Sequence, residues 1–361
     1  MSTQHTKTEQ SPWTPTNPQY DPNKPMQIGG QAVMEGVMMR APGSVATAVR
    51  RASGEIVVKQ EKFKSLIERF KLLNIPIVRG AIGLIDMMYL GIKTLNWSAE
   101  IAMMDLEIEE AKKKNKLNGQ EGTPKKQSTV ALVATLVVAL AIGIAIFFVT
   151  PLVVTTYVFQ VEQKAFEFNL TAGAIRILIL VAYLAGISLM RDIKRLFQYH
   201  GAEHKAVFTF ELNGDLVPEV AQRHTRFHPR CGTSFLLIVM FVAILSFSVL
   251  DILLMKWLGE MTLFIRMVTH LPFIPVVGGI SYEIIKFSAK HSATSWGRVI
   301  VAPGLWLQKI TTKEPDIPQI EVALVALRCA LGIEDAEKYP LKSLPAEVAI
   351  ATEQIDAIGV R

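Results

Sequence analysis

The chain has 361 residues, of which 50% are apolar and 19% charged, and its mean hydropathy is +0.31. Soluble domains carry about 25% charged residues, so an ordinary soluble enzyme is excluded, a disordered chain equally so, and the apolar surplus asks for a bilayer. The formal charge of +6 fits nucleic acid or an anionic membrane surface, and two cysteines, Cys231 and Cys329, are too few for a disulfide framework.

Residues 1–25 are polar and proline-rich. They lack the apolar stretch of a signal peptide and read as a disordered tail. Residues 26–71 read as a β-rich cytoplasmic segment. The string SVATAVRRASGEIVVKQEKF alternates β-branched residues around Ala52-Ser53-Gly54, a hairpin signal. Before it, IGGQAVMEGVMMRAPG holds Glu35 as a lone acid among glycines and methionines. Two readings stand: a small β-meander covering a face of the membrane domain, or a loop that delivers Glu35 into a site.

Residues 72–104 are apolar but interrupted by Arg79, Asp86 and Lys93, with basic flanks on both sides. A crossing segment would leave one basic flank outside, so a pair of interfacial or re-entrant helices is expected. Residues 105–128 form a basic linker. Its lysines lack the interleaved aromatics of a nucleic-acid groove and read as lipid-facing topology signals.

Residues 129–312 form the membrane domain. A spanning helix needs about 20 apolar residues, and four stretches qualify: 129–159, 172–190, 234–254 and 263–287. Pro151 should kink the first or mark its exit. The fourth contains Arg266, His270, two prolines and Glu283; Arg266 is expected to snorkel at the outer interface. Lysine and arginine collect before the first span, between the second and third, and after the fourth. That bias puts both termini in the cytoplasm. The expected fold is therefore mainly α: a polytopic helical membrane protein with about four spans and a small N-terminal cytoplasmic β-element. Both cysteines would face a reducing compartment, as free thiols or metal ligands. Residues 313–361 read as a helical cytoplasmic tail that docks as a helix pair, with Cys329 in its core.

The chemistry concentrates in the loop 191–233, which holds four of the seven histidines and Cys231. On a helix, His200 and His204 project from one face, with Glu203 on its flank. Two such histidines can hold one metal ion while a nearby carboxylate takes a proton from water. H-x-x-E-H is the reversed zincin pattern. His228 and Cys231 form a second cluster in a turn bracketed by Pro229 and Gly232. Together the four suggest a site for zinc, or for iron. Three ligands would make it catalytic and four structural. His224 falls in a plainer stretch and is left out, and His270 and His291 read as isolated core or solvated residues.

The strings QIGGQAVMEGVMMR, YHGAEHK, FHPRCGTSFL, LPFIPVVGGISYEIIKF and PGLWLQKITTKEP occur in this order. Together they resemble the YqhQ-like family of bacterial membrane proteins over residues 26–316. That family is a domain of unknown function described as a predicted metal-dependent enzyme. Carried over by position, the resemblance implies roles for His200, Glu203, His204, Glu211, His228, Arg230 and Cys231, with Glu35 and Glu283 in the other motifs. It implies a divalent metal, with zinc expected, and a bacterial inner membrane. Glu283 could ligate the metal, orient a histidine, or pair with Arg79 or Lys286. The first functional expectation is a hydrolase acting on a lipid or membrane-protein substrate, with Glu203 as base. The alternative is a structural metal clamp serving assembly or partner binding. A transporter is disfavoured, since no inverted repeats or midplane charges are visible.

Overall fold

The computed structural model of the protein describes residues 28–118, 129–290 and 294–341. The expected disordered tail 1–25, linker residues 119–128, His291 and residues beyond 341 lie outside the described residues.

Strands β1 (Gly29–Val33), β2 (Gly36–Ala41), β3 (Ser44–Arg50) and β4 (Ile56–Lys62) form one antiparallel meander in the order β1-β2-β3-β4. The expected hairpin at Ala52-Ser53-Gly54 is present: Arg50 pairs with Ile56, and Gly54 has φ +90°. Met34 and Glu35 close β1 onto β2, with Glu35 at φ +53°. Val37, Met38 and Met39 are all buried because both sheet faces are covered. Val37 and Met39 pack with α6 (Arg191–Glu211) and α11 (Ile317–Ala330), and Met38 packs with Leu90, Trp97 and Ile101 of α2 (Val78–Asn118). The meander is thus a filling between helices.

The expected helix pair at 72–104 is instead a single helix. The short α1 (Leu66–Arg69) and a 3₁₀ turn precede α2, which then runs unbroken for 41 residues, into the predicted linker. The charges that looked like interruptions are satisfied locally. Arg79 pairs with Glu283, Asp86 accepts from the Leu66 N–H at 3.0 Å, and Lys93 lies 3.1 Å from Glu61. A helix tolerates charges on a face where partners meet them. The N-terminal end of α2 lies against α9 (Leu263–Lys290) with very close backbone approach: a Cβ on Gly279 would sit 2.2 Å from the Ile77 carbonyl oxygen.

Four helices among the described residues are long and apolar enough to cross a membrane: Val137–Phe159, Ala165–Ile187, Gly232–Leu258 and Leu263–Ser288. This is the mainly helical membrane fold expected. The first span joins α3 (Thr129–Ile144) to α4 (Thr150–Val154) through a π-turn. Pro151, at the start of α4, is accommodated there, where a widened turn relieves the missing N–H. The others are α5 (Ala165–Ile187), α8 (Gly232–Leu258) and α9. The remaining helices are α7 (Pro218–Ala221) and α10 (Ser295–Thr311). Because α6 follows α5 directly, and sheet and α11 pack on α6, these parts gather at one end of the bundle.

At the other end of the bundle Arg266 does not snorkel. It is fully buried, with its Nε 2.9 Å from Asp251 Oδ2 and its guanidinium 3.6 Å over the Phe168 ring. His270 Nε2 lies 2.8 Å from Asp251 Oδ1, and Asn169 Nδ2 donates to Asp251 at 2.8 Å. An apolar environment makes an unpaired Arg266 costly, so α5, α8 and α9 meet around one carboxylate.

Residues 313–341 also differ from expectation. They hold one helix, α11, and a 3₁₀ turn at Ala336–Lys338. Helix α11 is no peripheral tail: Ile320, Ala323, Leu324 and Leu327 are fully buried against sheet and α6. Cys329 is in that core as expected, and burial pushes its thiol up to about 11.

Candidate metal centre

Helix α6 has a strongly amphipathic sequence. On it His200 reaches Thr311 at the end of α10 and Cys231 at the start of α8, Glu203 meets Gly30 of β1, and His204 meets the Arg226 carbonyl. Cys231 is the N-cap of α8, its Sγ accepting from the Thr233 N–H at 3.4 Å. His200, His204 and Cys231 come together with one ligand atom from each within 4.8 Å of the others. They are the only such set of three among the described residues.

The histidines are oriented by backbone carbonyls. His200 Nδ1 lies 2.8 Å from the Thr311 oxygen, and His204 Nδ1 lies 2.5 Å from the Arg226 oxygen. A carbonyl only accepts, so both Nδ1 atoms carry the proton and both Nε2 atoms are turned to the centre. His200 Nε2 meets Cys231 Sγ at 3.1 Å. His204 Nε2 is buried with no hydrogen-bond partner, a costly state for a bare nitrogen that a cation would relieve. Burial by itself pulls the His200 imidazolium down, but the adjacent Cys231 sulfur outweighs it and raises the group to about 9. Burial likewise pushes the Cys231 thiol up, and His200 and His204 outweigh it, holding it well below its usual value. Two nitrogens and a thiolate suit zinc.

Glu203 sits beside this set. Its Oε2 lies 3.4 Å from His204 Nε2, and its Oε1 accepts from the Gly30 N–H at 2.9 Å. The N-terminal sheet therefore reaches the centre through β1, with Gly30 and not Glu35. A Cβ at Gly30 would fall 2.9 Å from Glu203 Cγ and 2.4 Å from the Met38 oxygen, so only glycine fits.

The other predicted residues separate from this group. His228 lies outside the three: its Nε2 donates to Glu211 Oε2 at 3.2 Å, and its Nδ1 accepts from the Arg230 N–H at 3.3 Å. Its ring is 5.6 Å from that of His204, centroid to centroid, so it lines the next layer. Glu211 also pairs with Arg230. Burial pushes the Glu211 carboxyl up, but His228 and Arg230 together hold it below the usual range. Glu35 pairs with Arg195 and accepts from the Tyr199 hydroxyl at 3.3 Å. It braces the start of α6. Glu283 forms the ion pair with Arg79, the third of its expected roles.

Sequence reading missed several supports. Gln308 clamps His228 at both ends, accepting from its N–H and donating to its carbonyl, each at 2.8 Å. Lys205 donates to the carbonyls of Gln222 and His224 at 2.8 and 2.7 Å. Thr311, Arg226 and Gly30 act through backbone atoms, which leave no side-chain signature. Gln308 lies in PGLWLQKITTKEP, where the motif was the available signal.

Over residues 75–333 the chain matches the family model described as "Protein of unknown function (DUF1385)". It is 32% identical over 321 residues to "Uncharacterized protein YqhQ" of Bacillus subtilis (strain 168), covering 86% of this chain and 94% of that protein. No solved structure matches.

Proposed function

We propose that this chain, which belongs to the YqhQ-like family, is a metal-dependent hydrolase of the bacterial inner membrane, with its centre at the cytoplasmic face. The reading is carried by His204 Nε2, buried and without a hydrogen bond, in a set with His200 and Cys231 and 3.4 Å from Glu203 Oε2. His200, His204 and Cys231 would hold zinc. Zinc bound there would supply Lewis acidity toward a carbonyl or phosphoryl oxygen and toward water. Glu203 takes the proton of the attacking water at Oε2, while the Gly30 N–H holds Oε1. The carbonyl or phosphoryl bond to the leaving group breaks, and Glu203 returns the proton to that group. The cytoplasmic assignment is supported by Arg191, Lys194, Arg195 and Lys205 on α6, against the single Lys164 in the turn before α5.

Metal analysis of the purified protein tests this first: about one zinc per chain is expected. His204→Ala should lose the metal. Glu203→Gln should keep it and lose turnover, read as failure to restore the membrane-lipid profile of a deletion strain. A metal-free wild-type protein would sink the proposal.

A structural clamp is the second reading. It is favoured by the way the site ties α6 to the N-cap of α8 and to the end of α10 through Thr311. A clamp predicts that Glu203→Gln is silent in that profile and that metal removal lowers thermal stability.

A further inference from the structure

We infer that α2 lies in the plane of the membrane, with its outer face bedded among the acyl chains of the leaflet nearest the metal centre. The inner face of α2 is covered, since Leu90, Trp97 and Ile101 pack on the sheet. The outer face carries Ile85, Met88, Ile92, Leu95 and Leu106, which are 40% to 61% exposed. At 3.6 residues per turn these five fall within an arc of about 80°, opposite Leu90, and span about 32 Å along the helix. No charge falls in that arc, and Asp86, Lys93 and Glu100 line up along one edge of it. A helix that is apolar on both faces is buried on both, and an uncharged strip of this length marks a surface that something covers.

The surroundings identify the cover. Ile77 and Leu84 are about 10 Å apart along the helix direction, yet they meet adjacent residues of α9, Gly279 and Gly278. Helix α2 therefore crosses α9 and does not run beside it. Gly279 lies within the candidate span Leu263–Ser288, so the crossing is at bilayer depth. Ser288, at the end of that span, lines a small cavity with Cys231, which makes this leaflet the one nearest the centre. The far end of the strip is tied to another span. Asp105 of α2 pairs with Arg51 at 2.7 Å, the Arg50 N–H donates to the Glu35 carbonyl at 2.8 Å, and Glu35 pairs with Arg195. Arg195 lies in the first turns of α6, soon after the span Ala165–Ile187. A helix fixed to α9 at one end and to the exit of α5 at the other follows the membrane surface. Its apolar strip then meets acyl chains, while the charged edge is held on the polar side, Asp86 by the Leu66 N–H and Lys93 by Glu61. Helix α9 exposes Leu271 and Ile274 further into the same span. The strip continues that lipid-facing surface, so lipid and not a second copy is its occupant.

The test uses the full-length protein in phosphatidylglycerol vesicles, with the photoreactive residue p-benzoylphenylalanine in place of Ile85, Ile92 or Leu106. After irradiation, lipid adducts are counted by mass spectrometry of the intact protein. All three positions should label as strongly as Leu245, an exposed position of the span in α8. They should label about tenfold or more above Glu55, exposed in the turn between β3 and β4, as burial of an apolar side chain in lipid implies. Thermal unfolding in detergent checks each variant, and the positions are independent, so one misfolded variant leaves the other two decisive. Labelling at Ile85 without Leu106 would overturn the in-plane course. Labelling at none of the three, with Leu245 labelled, would show a solvated face and overturn the leaflet contact altogether. A cross-linked dimer formed from Ile92 would do the same by assigning the strip to a second copy.

Discussion

At His204 one nitrogen separates an inert buried imidazole from a ligand. Its Nδ1 is held by the Arg226 carbonyl, and its Nε2 makes no hydrogen bond and lies 3.4 Å from Glu203 Oε2, whereas His228 has both nitrogens hydrogen-bonded. His228→Ala should therefore retain zinc while His204→Ala loses it, as a metal count on both variants would show. Gly30→Ala places a methyl against Glu203 and the Met38 carbonyl. Overpacking of this kind costs about 1–3 kcal/mol, so a lower unfolding temperature is expected, with turnover reduced because Glu203 is displaced. Glu211 gives a pH signature. Its folded value is depressed by His228 and Arg230 against burial. Its stabilisation is thus present above the unfolded value of about 4.3 and fades as pH falls through the lower folded value. Glu211→Gln should cost about 3–5 kcal/mol near neutral pH. That gap should shrink in strong acid, where thermal unfolding of both forms is compared. The motif H-x-x-E-H made His200, Glu203 and His204 legible in the sequence. It did not rank His228, because which nitrogen is free depends on the carbonyls of Arg226 and Thr311, which the fold brings from elsewhere.

At the scale of elements, spans are the most legible feature, because length and hydropathy suffice to define them. Helix α2 was not, since its charges read as breaks until Glu283, the Leu66 N–H and Glu61 are placed beside them. Nor was the buried group on α8 and α9. Asp251 is a single acid in an apolar run, and only the packed bundle puts Arg266, His270 and Asn169 on it. Asp251→Asn should destabilise by about 3–5 kcal/mol because Arg266 stays buried without its counter-ion. A combined Asp251→Leu, Arg266→Met and His270→Phe replacement should be nearly neutral, measured by thermal unfolding in detergent. A large loss in the triple variant would assign the group more than mutual compensation.

For the whole molecule, the sheet, α6 and α11 share one core, so the segments on either side of the bundle in sequence must lie on the same side of the membrane. Cysteines placed at Ser53 and Glu337 should both resist a membrane-impermeant maleimide in intact cells, while one at Lys164 should react. Opposite behaviour of Ser53 and Glu337 would contradict the shared core, and the reverse pattern for all three would invert the orientation. Hydropathy, charge bias and helical spacing are local properties, and they made the four spans and the segment holding His200, His204 and Cys231 legible before any fold was known. Tertiary structure alone decided that β1 reaches Glu203, that α11 is core and not tail, and which of the histidines share a centre. Those outcomes depend on backbone atoms and on partners distant in the chain, such as the 173 positions between Gly30 and Glu203, and no local pattern encodes them.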